Sequence, residues 1–313
     1  MARRSIPIAG PVAGFVPSLS VLAVLAVVAC SSEPTSDGTP GPTSDAAGSP
    51  PIEDSGAPIE AAPPSDAAAP PGSGGKGGLI CTSRADVSGR SICTAKIGSV
   101  ELKILEPKEG SGPMRLGVYV HGDGAGAHKS GSVFKPMIAW ADAQHALGVS
   151  FLAPNGCAWW QSPTHDCASQ QTDPDVAAAN AAALALAIDA IMNAYDVRTD
   201  GFRYYGASGG SIFLTDEWLP LQAAKYPGVF ALMCGGEAST RKFVWDIFSA
   251  PLRGKNPLWF TYGDQDFLLS DEQAAVAAFK GRGFAVIEKV LPNAGHCAFD
   301  AHGEAIAIWT QNP

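Results

Sequence analysis

Basic residues are scarce. The 313-residue chain holds 21 Lys and Arg against 30 Asp and Glu, a formal net charge of −9 at pH 7. Phosphate binding needs a concentrated positive face, so this balance argues against a nucleic-acid partner. No CxxC or HxxxH spacing occurs, which removes the common zinc frameworks. No phosphate-cradling loop follows a β-prone run either: "GSGGKGG" (72 to 78) has the glycines without the fixed spacing. The chain shows no internal repeat and no second apolar run that reads as a membrane segment. Together these absences point away from nucleotide and metal chemistry, and no cofactor is expected.

The first segment, "MARRSIPIAGPVAGFVPSLSVLAVLAVVAC", places Arg3 and Arg4 before an apolar run that ends at Val27-Val28-Ala29-Cys30. Charge, apolar run and small residues in that order read as an export signal. The residues around Cys30 resemble the lipobox of bacterial lipoproteins, which implies cleavage there and a lipid on Cys30. Residues 31–78 are Pro, Ser, Ala, Gly and acids with almost nothing large and apolar, too little to offset the entropy of ordering. They read as a disordered tether whose ends lie on the order of 40 Å apart. The expectation is an exported domain anchored through Cys30 to a bacterial membrane.

What remains, 79–313, has the size of one large α/β domain. Without Arg3, Arg4, Lys76 and the seven acids of the first 78 residues, it keeps 18 basic residues against 23 acidic. Cys30 aside, six cysteines remain, and an even number in an exported chain favours disulfides. Of the 15 pairings open to six cysteines, Cys81 with Cys93 would staple an N-terminal hairpin and Cys157 with Cys167 would close a loop. That leaves Cys234 for Cys297.

Short apolar runs alternate with helical patterns. Strands are expected at 99–107, 115–124, 149–156, 201–208, 228–236, 257–264 and 284–292, and helices at 134–147, 175–195, 238–249, 271–280 and 298–310. Such alternation implies a mostly parallel sheet covered by helices on both faces, with ligands at the carboxyl ends of the strands. The apolar stripe of 175–195 reads as core.

Residues that follow strands carry the chemistry. "FRYYGASGGSIFL" sets Ser208 between Gly206 and Gly210, after a strand and before a helical stretch. A nucleophile on a sharp strand-to-helix turn needs small neighbours there, and the next residue, Gly209, offers its amide to an oxyanion. A serine needs a base and the base an orienting acid, in the chain order serine, acid, histidine. Only His296 and His302 lie downstream; His296 falls on a loop after the last strand, whereas His302 falls inside the final helix. "GDQD" offers Asp264 and Asp266 as the acid. "HGDGAGAH" after an early strand offers the amides of Asp123 and Gly124 as a second oxyanion donor. The alternatives there are a tight turn or a metal site from His121, Asp123 and His128, whose spacing fits no ligand pattern. Trp159 and Trp160 follow another strand, where they either wall a substrate pocket or pack in the core.

Taken together, "YVHGDGAG", the paired tryptophans, "AIDAIMNAYDVRTDGFRYYGASGGS", "YPGVFALMCGGE", "FTYGDQDFLLS" and "AGHCAFD" resemble the α/β-hydrolases, and within them the secreted esterases grouped with polyhydroxybutyrate depolymerases and feruloyl esterases. The resemblance runs from about Arg115 to about Asp300. It implies an α/β-hydrolase fold in a single domain after the tether, Ser208 as nucleophile, His296 as base and Asp266 as its orienter. It further implies an oxyanion hole near Asp123 and at Gly209, and ester hydrolysis through an acyl-enzyme by a monomer. Asp123 stands where many members have glycine, and no separate polymer-binding domain is present.

Overall fold

A computed structural model of the chain describes residues 72–160, 174–239 and 253–312. Cys30, Cys167 and most of the helix expected at 238–249 lie outside the described residues. Within them, nine strands form one sheet: β1 (Ser83–Val87), β2 (Arg90–Ile97), β3 (Val100–Leu105), β4 (Arg115–Val120), β5 (Ala146–Leu152), β6 (Phe202–Ala207), β7 (Gly228–Met233), β8 (Leu258–Gly263) and β9 (Val286–Leu291). Their order is β1-β2-β3-β5-β4-β6-β7-β8-β9. The first three strands run antiparallel, β3 pairs antiparallel with β5, and from β5 to β9 every pairing is parallel. This is the α/β-hydrolase fold.

The β1–β2 hairpin turns on Ser88 and Gly89, both at positive φ (51° and 76°), the two-residue geometry that matches strand twist. The Cys81–Cys93 disulfide closes its open end. The apolar patterning missed both β1, whose residues are almost all exposed, and β2; only the expected disulfide pointed to a hairpin. β5 starts earlier than its pattern suggests. His145, at φ 47°, turns the chain after the preceding helix ends at Ala143, so Ala146 and Leu147 join the strand.

The helices are α1 (Gly126–Ser130), α2 (Phe134–Ala143), α3 (Pro174–Ala194), α4 (Gly209–Phe213), a π-helical turn (Leu214–Trp218), α5 (Leu219–Gln222), α6 (Leu269–Gly281) and α7 (Ala301–Gln311). Alternate strand residues divide two cores. Leu116, Val118 and Val120 of β4 join Leu184, Ile188 and Ile191 of α3 and Val276 and Phe279 of α6. Tyr119 and Tyr205 face the other way, with Phe134, Met137 and Trp140 of α2 and Trp309 of α7. Each large side chain so buried contributes about 1.5–3 kcal/mol. Asp175–Ala194 is long and apolar enough to span a membrane by composition, yet Ala181, Leu184, Ala187, Ile188 and Ile191 are fully buried in the core, so it serves as a core helix.

Contacts with the domain begin ahead of the boundary expected at residue 79. Ser73 N–H donates to Val197 O (2.8 Å), its hydroxyl reaches Met192 O (2.7 Å) and Tyr195 O (2.9 Å), and Gly78 N–H donates to Ala194 O (2.8 Å). The bonds to Met192 O and Ala194 O satisfy carbonyls that the C-terminal end of α3 leaves open. A side chain on Gly75 would collide with Met192 O and Tyr195 O. Part of the glycine-rich stretch is therefore fitted to the domain.

Candidate active site

Four loops meet at the carboxyl ends of the parallel strands. After β6 the chain turns sharply at Ser208, whose φ of 51° and ψ of −122° are strained for a residue with a side chain. Neighbouring hydrogen bonds hold it: Ser208 N–H donates to Met233 O (2.9 Å), and Ser208 O accepts from Ser211 N–H (2.8 Å). A Cβ on Gly206 would sit 2.7 Å from the Ser211 backbone, and one on Gly210 would collide with Val120 O. The glycine spacing around Ser208 is thus a packing requirement of the turn.

His296 lies on the loop after β9. Its Nε2 is 2.9 Å from Ser208 Oγ, and its Nδ1 is 2.9 and 3.0 Å from the two Asp266 carboxylate oxygens. Asp266 follows β8 and its side chain is fully buried; one oxygen also accepts Leu268 N–H (2.9 Å). With Nδ1–H donating to this carboxylate, the Nε2 lone pair faces the serine hydroxyl. Asp264 is exposed and does not contact His296; its amide serves the β8–β9 end by donating to Leu291 O (3.0 Å). Phe267 is 75% exposed, and its ring centroid lies 4.3 Å from that of His296.

The loop after β4 crosses over the turn. The amides of Asp123 and Gly209 have no acceptor among the described residues. Gly124 is different: its N–H donates to Cys157 O (3.0 Å), so the expectation of a free donor there does not hold. His121 fixes the loop. Its Nδ1–H donates to Gly122 O (2.7 Å) and its Nε2 accepts Ala153 N–H from the end of β5 (3.0 Å). Burial lowers its pKa to about 4, so the ring stays neutral as both bonds require. His128 bonds Ser150 Oγ instead (2.7 Å), and no group of three metal-ligating side chains occurs among the described residues.

The two tryptophans separate. Trp159 is fully buried against His121 and Phe213 (ring centroids 5.6 and 5.0 Å) and belongs to the core. Trp160 donates Nε1–H to Asp123 Oδ1 (3.0 Å). The Asp123 carboxyl occupies the space where a Gly209 side chain would stand, so the aspartate and the glycine after the turn are fitted to each other. Burial raises the Asp123 pKa, while the Trp160 bond and the charge of His296 act against it.

Beside Ser208 lies a cavity of about 580 Å³, whose lining includes Gly122, Asp123, Ala127, Phe267, His296 and Phe299. Buried Tyr119 and Tyr205 and half-buried His302 also line it, and their burial makes them its inner end; strand and helix periodicity marked these residues only as core or helix. Cys297, next to His296, is bonded to Cys234 at the end of β7. Cys157 is disulfide-bonded as well, and its expected partner Cys167 lies outside the described residues.

No protein-family model matches the chain, and no curated protein matches it. Among solved structures it is similar to a thermostable esterase (15% identity, TM-score 0.49), covering 71% of this chain and 60% of that one. It is also similar to the poly(aspartic acid) hydrolase-1 of Sphingomonas sp. KT-1 (13%, TM-score 0.48, 74% and 98% covered). A third is the poly(3-hydroxybutyrate) depolymerase LpqC of Bordetella parapertussis (16%, TM-score 0.47, 72% and 92% covered). At these identities and TM-scores the likeness carries no argument about activity; the chain spans 60% of the thermostable esterase's length.

Proposed function

We propose that the chain is an exported serine esterase that hydrolyses carboxylic esters through an acyl-enzyme, held to a bacterial membrane by a lipid on Cys30. The observation that carries the reading is the unbroken chain of contacts from Ser208 Oγ through His296 to buried Asp266, on a turn that presents the serine to a cavity. Two disulfides, with a fifth bonded cysteine in Cys157, fit an oxidising compartment.

In this reading His296 Nε2 takes the proton of Ser208 as Oγ bonds to the ester carbonyl carbon. The carbonyl electrons move to oxygen, where the Asp123 and Gly209 amides hold the charge. Collapse breaks the bond to the alcohol oxygen, which leaves with the proton from His296. Water then repeats the sequence with the same base and releases the acid and free Ser208. Asp266 keeps the proton on Nδ1 throughout.

A fluorophosphonate probe should label the wild-type domain and not Ser208→Ala, whose kcat on short p-nitrophenyl esters should fall by about 10⁴–10⁶. Equal labelling of both proteins overturns the reading. Turnover of p-nitroanilides rather than esters would make it a peptidase. For the anchor, a palmitate analogue should be incorporated by the full chain and lost in Cys30→Ala.

A further inference from the structure

The inner end of the cavity contains three polar aromatic groups that the ester mechanism does not use. Tyr205, fully buried on β6, has its hydroxyl 2.7 Å from His302 Nδ1 on α7, its one hydrogen-bond partner among the described residues. A buried hydroxyl hydrogen needs an acceptor. Tyr205 therefore donates to Nδ1, which leaves the ring proton of His302 on Nε2. Burial keeps both groups in these forms by raising the phenol pKa and lowering that of the imidazole, against a smaller opposing pull on the imidazole from Asp300. His302 Nε2 has no partner among the described residues. Neither does the hydroxyl of Tyr119, whose ring packs 4.7 Å from Tyr205 and edge-on to His302 at 5.9 Å. Both residues line the cavity.

We propose that this end of the cavity is a hydrogen-bond-donating acyl subsite, in which His302 Nε2–H and the Tyr119 hydroxyl select acyl groups that carry a neutral oxygen acceptor over plain hydrocarbon chains. The proposal rests on the esterase reading and deepens it. The acyl group belongs here because it stays bonded to Ser208 while water enters, whereas the alcohol must leave to solvent past exposed Phe267. Asp300 also lines the cavity; one oxygen caps α7 by accepting Gly303 N–H (2.9 Å). Its charge disfavours a second carboxylate, so the acceptor is an ether, hydroxyl or carbonyl oxygen.

The test compares p-nitrophenyl hexanoate with its isosteres in which one chain methylene, at position 3, 4 or 5, is replaced by an ether oxygen that only accepts. For at least one isostere, the ratio of its kcat/KM to that of hexanoate should fall about three- to tenfold in Tyr119→Phe and in His302→Phe, the worth of one neutral hydrogen bond. Ratios unchanged in both variants for all three isosteres, whatever happens to the individual rates, overturn the subsite. Binding of the matching ethyl esters to Ser208→Ala, read by tryptophan fluorescence, makes the same comparison without turnover. Loss of hydrolysis with the discrimination intact in binding would then overturn only the esterase reading. Equal binding of ether and hydrocarbon chains would overturn only the subsite.

Discussion

At Ser208 the local backbone and the distant partners place separate demands on the sequence. The backbone demand falls on Gly206 and Gly210, which leave no room for a methyl group. Gly206→Ala should destabilise the domain by about 1–3 kcal/mol, the ordinary cost of overpacking, and lower the rate of fluorophosphonate labelling; a thermal scan beside a labelling time course checks both. In the proposed mechanism the demand for partners falls on His296 and Asp266, which contact Ser208 in series and stand in the chain order expected of such a fold. The state of Gly124 was not legible, since its amide is taken by the carbonyl of Cys157, a loop contact that no pattern encodes. A second carboxyl lies near Asp266. Glu272 is fully buried, neither carboxyl oxygen has a partner among the described residues, and burial, with Asp266 and Asp271 adding to it, raises its pKa to about 8. The folded state then holds a proton that the unfolded chain releases near its ordinary value of about 4.3. Stability should decline as pH rises from about 4.5 to about 8 and level off above it. In Glu272→Gln that decline should flatten, as urea titrations across the window would show.

Among the elements, β7 ties the site together. Its last residue, Met233, accepts the Ser208 amide and the Ser211 hydroxyl (3.0 Å), and the next, Cys234, is bonded to Cys297 beside His296. The disulfide closes a 63-residue separation, worth about 4 kcal/mol in the chain-entropy account. Cys234→Ala with Cys297→Ala should lower the melting temperature. Measured well below that temperature, kcat should also fall about ten- to a hundredfold, because His296, the proposed base, loses its positional restraint. A variant that melts earlier yet keeps full kcat would limit the bond to stability. The sequence announced the central strands through their continuous apolar runs, which buried parallel strands require. It did not announce β1, an exposed edge whose pairing is decided by a turn and a disulfide. Trp159 and Trp160, adjacent in sequence, were indistinguishable there; helix α3 and Phe213 enclose the first, while the β4 loop engages the second.

Across the whole molecule, composition misled at one place. Residues 72–78 match in composition the segment expected to be a tether, and what sets them apart is the shape of the surface they lie on. A chain beginning at Leu79 should melt several degrees below one beginning at Gly72, since it loses the bonds of Ser73 and Gly78 to the end of α3, each worth about 1 kcal/mol. Equal melting curves would mean that those contacts add nothing. Gly72 pairs with Arg198, which precedes β6, and Met114, which precedes β4, pairs with Val197. The chain therefore joins the domain at the amino ends of the strands, and the cavity opens at their carboxyl ends. Gly72 and the opening beside Ser208 thus lie at opposite ends of the parallel strands, so a bulky group attached at Gly72 should leave fluorophosphonate labelling of Ser208 unchanged.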